Sequence, residues 1–142
     1  MNLKQTVTNP EAIERVFGDS PSLENVSIHE IGLHRDGPRV TLRFDVPEYP
    51  KNPPAKWKAQ GFNRVQITLA CLATRGVRCD GWSTSNKASI VLSRDDAGKL
   101  LVRIVGDTTH LELICDHVFV ENLSAYKDTG EESEPLPRVH VR

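Results

Sequence analysis

From Val26 onward the apolar residues of this chain fall largely on every second position, and the segments between such runs carry glycine, proline, asparagine or aspartate. A period of two belongs to a strand with one buried face, because successive side chains point to opposite sides of a sheet. Val40, Leu42, Phe44 and Val46 point one way, and Arg39, Thr41, Arg43 and Asp45 the other. The alternation recurs at Val65-Ile67-Leu69-Cys71, Ala88-Ile90-Leu92, Leu100-Val102-Ile104 and Leu111-Leu113-Cys115, with Gly76, Gly98 and Gly106 in the short links. Short links join antiparallel neighbours, since a parallel pair needs a long crossover. The expected fold class is therefore mainly β (α+β): a curled antiparallel meander or sandwich of about eight strands with one short N-terminal helix.

That helix is read from NPEAIERVFG, with Asn9 as N-cap, Pro10 at the first helical position, Gly18 as stop and Ile13, Val16 and Phe17 on one stripe. So short a helix does not persist alone in water, and its stripe is expected to dock on the sheet and plug one end. Between Pro47 and Asn63 the chain must leave the sheet, because Pro47, Pro50, Pro53 and Pro54 cannot donate to a ladder. After Tyr126 the sequence turns acidic and proline-containing with little to bury. The expected organisation is a single β-rich domain over residues 1–126 and a disordered tail over 127–142, in which Glu131, Glu132 and Glu134 are solvated.

The stretch SLENVSIHEIGLHRDG, Ser22 to Gly37, concentrates polar residues. Its alternation changes phase, since Val26 and Ile28 share one face while Ile31 and Leu33 fall on the other. A one-residue bulge near His29 and Glu30 would return all four apolar side chains to the same core. Asp36-Gly37-Pro38 then reads as a tight hairpin connection.

Formal charge is −1, from 18 basic and 19 acidic residues, so no global field draws in nucleic acid or an anionic membrane. The first seventeen residues hold no apolar targeting run and no later stretch approaches the ~20 apolar residues of a membrane span, so a soluble cytoplasmic product is expected. His29, His34, His110 and His117 show no HxH, HxxxH or HExxH spacing, and no metal or cofactor site is expected. Cys71, Cys79 and Cys115 each lie in strand-like runs and read as small apolar side chains. The sequence Cys115-Asp116-His117 invites a nucleophile reading, but Cys115 continues the core series Leu111-Leu113 while His117 does not pair with it across a strand. Nothing specifies a reaction, and the chain is not expected to be an enzyme.

The order of segments, a short helix ending in FG, then SPSLENVSIHEIGLHRDGPRVTLRF, GFNRVQITL, TSNKASIVL and LICDHVFVENL, resembles the immunity protein 50 family from about Asn9 to Tyr126. In that family the segment after the helix reads Trp-Pro-Ser-Phe-His-Asp. Here Pro21 and Ser22 match, while Ser20, Leu23, Glu24 and Asn25 occupy the other places, so the family's polar pair is absent. Asn86 matches a family asparagine between two strands, and Cys115 a small residue in a late strand. The resemblance implies a bacterial protein of polymorphic toxin systems that neutralises a cognate toxin domain by binding it.

Binding energy concentrates in a few aromatic and arginine anchors, so these are the candidate contact residues. Alternation over Val77 to Trp82 puts Arg78, Asp80 and Trp82 on one face; Trp82 is either an exposed anchor or packs under the proline-rich loop. Tyr49 and Trp57, among Lys51, Lys56 and Lys58, form a second candidate, or else the loop folds over its own aromatics. Asn86 joins the set through the resemblance. Two other classes stand beside this one: a curled sheet enclosing a hydrophobic small-molecule ligand, and a nucleic-acid module using the loop lysines. An open sheet edge is either covered or pairs with a second copy, so the oligomeric state stays open.

Overall fold

A computed structural model describes residues 1–129, so all but the first three residues of the tail expected over 127–142 lie outside the described residues. The chain forms α1 (Leu3–Thr6), α2 (Glu11–Phe17), β1 (Val26–His34), β2 (Arg39–Val46), α3 (Ala55–Gln60), β3 (Arg64–Leu72), β4 (Arg75–Asp80), β5 (Lys87–Arg94), β6 (Leu100–Gly106), β7 (His110–Cys115) and β8 (His117–Tyr126). The eight strands make one antiparallel sheet in the order β4-β7-β6-β5-β1-β2-β3-β8. The mainly β class is as expected. The topology is not one meander: β1-β2-β3 and β5-β6-β7 are two meanders, while β4 crosses to the far side of β7 and β8 returns to β3.

Two joints curl the sheet on itself. Between β1 and β5 the pairing covers only Val26 with Ala88 and Ser27 with Lys87, so the strands then diverge. Between β7 and β8 a single residue, Asp116, carries the chain from one half to the other, and its N–H donates to Leu72 O at 2.9 Å. The inward side chains of both halves therefore meet in one core: Leu42, Phe44, Ile67 and Leu69 from one, Leu100, Ile104 and Leu113 from the other, each under 2% exposed. That filled interior leaves the hydrophobic-carrier reading without support. Apolar area removed from water drives this closure, at roughly 25 cal/mol per Å².

Both predicted irregularities of the β1–β2 hairpin are present. The pairing shifts between Ile28 and Glu30, so His29 is the extra residue of a bulge, and residues 35–38 close the hairpin. The consequence differs at one position: Val26 and Ile28 are buried and Ile31 is half-buried, but Leu33 is 69% exposed. Beyond Ile28, which still donates to Asn86 O at 2.9 Å, β2 is the only strand paired with β1 among the described residues, and the far end of β1 runs past the core.

The N-terminal region also departs from expectation. Asn9 does not cap α2, whose N-cap is Pro10; its side chain instead grips β8, accepting from Val120 N–H at 2.8 Å and donating to Val120 O at 3.0 Å. With Thr8 N–H donating to Val118 O at 2.9 Å, the chain's own start covers the outer edge of β8. A further short helix, α1, is fixed by a capping box between Asn2 and Gln5 and sends Leu3 into the core beside Ile13 of α2. Within the proline-rich loop α3 is the third helix, so the expectation of a single helix is corrected.

Candidate partner-binding surface

Strand β4 ends the sheet opposite β8, and all six of its residues are exposed. Cross-strand pairing extends its side chains into rows over the outer face. Arg78 lies opposite Glu112, Glu112 opposite Arg103, and Arg103 opposite Val91. The next row runs Asp80, His110, Val105, Ser89. Alternating charge thus sits among solvent-facing apolar groups, with Val91 41% and Val105 40% exposed; Trp82, two residues past β4, is 48% exposed. Arg78, Asp80, Arg103, Val105, His110 and Glu112 line a shallow groove of about 270 Å³. Among the described residues neither Arg78 nor Asp80 forms an ion pair, whereas Arg103 Nε reaches Glu112 Oε2 at 3.8 Å.

Trp82 is positioned by what lies under it. Gly81 passes so close to the β7 approach that a Cβ there would sit 1.6 Å from Thr108 O, and its φ is +76°; only glycine fits. Asn86 holds the loop from below. Its Oδ1 accepts from Ser83 N–H at 2.9 Å and from Thr109 Oγ1 at 2.6 Å, while its Nδ2 donates to Ser83 O at 2.6 Å. Asn86 is 4% exposed, and its amide is engaged internally under the Trp82 loop. Trp82 itself is 48% exposed.

Tyr49 and Trp57 pack on each other, with ring centroids 6.5 Å apart and planes at 43°, and both lie half-buried against the core. The loop therefore folds over its own aromatics. Its lysines, Lys51, Lys56 and Lys58, stand exposed around them. Cys71 and Cys115 are buried as expected; Cys79 is exposed, because β4 extends beyond the core, and the apolar reading is wrong for that thiol. Hydrogen bonding to Cys115 and burial hold the Cys71 thiol well above its ordinary pKa, so it stays protonated. His117 is exposed while Cys115 is wholly buried, so no Cys-His pair forms.

One polar cluster escaped the sequence reading. On the outer face of β1-β2-β3-β8, Asp45 is only 7% exposed. Its Oδ2 lies 3.0 Å from His29 Nε2 and accepts from the Tyr126 hydroxyl, and its Oδ1 accepts from Gln66 Nε2 at 3.0 Å. Arg43 braces Gln66 at 3.2 Å and bonds Glu30 at 3.4 Å. Burial pushes the Asp45 carboxyl up, but the donors His29, Tyr126 and Gln66 reverse this and hold it below the usual carboxylate range. Tyr126 is pushed up by burial and by its bond to that carboxylate. The bulge at His29 aims the imidazole here, yet Tyr126 comes from far along the chain, and no local signal announces it. Beside the cluster opens a polar cleft of about 390 Å³ that also touches Lys87 and Arg64. Among the described residues no group of three or more His, Cys, Asp or Glu is placed to hold a metal ion.

Fold and surface together define a mainly β protein built as one curled antiparallel sheet, with an exposed tryptophan just past its β4 edge. The chain belongs to the immunity protein 50 family, whose model matches residues 9–126, from just before α2 to the end of β8. No curated protein and no solved structure matches it.

Proposed function

We propose that this protein neutralises a cognate bacterial toxin domain in the cytoplasm by binding it directly, without catalysis, through the outer face of β4, β7 and β6. Family membership supplies the protein partner in general terms. The observations that carry the choice of surface lie at the β4 end: Trp82, two residues past the strand, stands 48% exposed, Arg78 and Asp80 have no ion-pair partner among the described residues, and Val105 and Val91 are exposed on the same outer face. An aromatic or arginine anchor ringed by such groups is where truncation costs most at protein interfaces. With overall charge near neutral, recognition rests on this local alternation of sign rather than on long-range attraction. No helix among the described residues is long and apolar enough to cross a membrane.

The test is co-expression with the toxin encoded beside this gene, followed by calorimetry on the purified pair. Rescue of growth and a complex are expected, and Trp82→Ala and Val105→Asp should each weaken binding roughly tenfold or more. A toxin that stays active and unbound defeats the functional reading; a complex indifferent to both variants defeats the surface.

A further inference from the structure

The hydrogen-bonding edge of β4 is a feature separate from the face just described. Of the two strands that end the sheet, β8 has its outer edge covered by Thr8 and Asn9, whereas β4 pairs, among the described residues, with β7 alone. An uncovered edge offers a row of backbone donors and acceptors to another strand. What distinguishes this edge is its pattern of charge. Cys79, exposed, sits midway between Arg78 and Asp80, neither of which has an ion-pair partner among the described residues.

We propose that β4 pairs antiparallel with β4 of a second copy of this chain about an axis at Cys79, giving a symmetric dimer. In that register Arg78 of each copy lies opposite Asp80 of the other, and the two Cys79 side chains face one another. Directly opposed residues of antiparallel strands share a face, so both pairs bring opposite charges into contact, and symmetry makes the gain twofold. A competing register would set Arg75 against Asp80. The pairing irregularity between Arg75 and Arg78, with Gly76 at φ +65°, bends the strand there and removes it. The regular stretch is short, so the dimer is weak and concentration-dependent, at the low end of specific interfaces. A toxin strand could use the same edge, but nothing on this chain matches such a strand as Arg78 and Asp80 match each other across the axis.

Sedimentation of the purified full chain, under reducing conditions and without toxin, tests this independently of the proposed function. A reversible dimer is expected across a concentration series. Arg78→Asp and Asp80→Arg should each weaken it roughly tenfold or more, because each turns both cross-copy pairs into like charges. The combined variant Arg78→Asp/Asp80→Arg should restore wild-type dimerisation, which only this register predicts. As a second readout, diamide should link the dimer: two Cys79 thiols give up two protons and two electrons, forming one disulfide and reducing diamide to its hydrazine. Cys79→Ser should abolish that link. A monomer at every concentration, or a combined variant as weak as either single change, overturns the proposal; toxin binding would stand in either case.

Discussion

Asp45 offers the most exacting check on the energetics of this sheet, because a carboxylate 7% exposed is held by three side-chain donors from three other strands. Charge-assisted hydrogen bonds of this kind are worth about 1.5–3 kcal/mol each when a partner is removed. The sum is discounted because His29 is 37% exposed and water can replace its partner. Asp45→Ala should therefore cost about 2–4 kcal/mol, and Asp45→Asn, which keeps one acceptor, about 1–2 kcal/mol. The acid dependence follows from the sign of the shift. The folded pKa lies below the ordinary value, so the contribution is fully present above about pH 4 and is lost as pH falls through the folded value. Tyr126, raised in the folded state, acts oppositely: its contribution is present below about pH 10 and is lost as pH rises. Urea unfolding followed by circular dichroism over a pH series would measure both. Wild type and Asp45→Asn should differ near neutrality and converge in acid. Curves that run parallel down to low pH, or an Asp45→Ala cost under about 0.5 kcal/mol, would refute the account.

Two further outcomes are expected. Asn86→Ala should cost about 1–2 kcal/mol in urea unfolding, because it removes the acceptor of the part-buried Ser83 N–H and leaves Thr109 Oγ1 only Gly81 O at 3.3 Å, and should also loosen the Trp82 loop, read as a change in tryptophan emission. Of the three cysteines only Cys79 should react with a thiol reagent in the native protein, and all three in denaturant; fast labelling of Cys71 or Cys115 would contradict the packed core.

How much was legible in advance differs from feature to feature for physical reasons. The bulge at His29 could be read because a phase change in alternation is a local pattern that burial enforces on both sides. Leu33 broke that pattern, since its exposure depends on β5 having already diverged from β1. Asn9 has good N-cap chemistry, but its amide found two backbone partners on β8, 111 residues away. Alternation alone puts Arg78, Asp80 and Trp82 outside, and they stand exposed; the buried Asn86 bonds Ser83 and Thr109, and the Thr109 contact, 23 residues away, has no local signal. The Asp45 cluster could not be found locally, because Tyr126 lies 81 residues beyond it.

The amino-acid sequence by itself determined most of the strands, the inward side of β2, β3, β5, β6 and β7, and where the hairpin and bulge fall, because these depend on residues within a few positions of one another. Only the tertiary structure decided which strands are neighbours: that β4 is left at an open edge, that the N-terminus covers β8, and that Asp45 meets Tyr126. Those choices follow from closing two apolar faces over one core, a free energy summed over the whole chain and written in no single stretch of it.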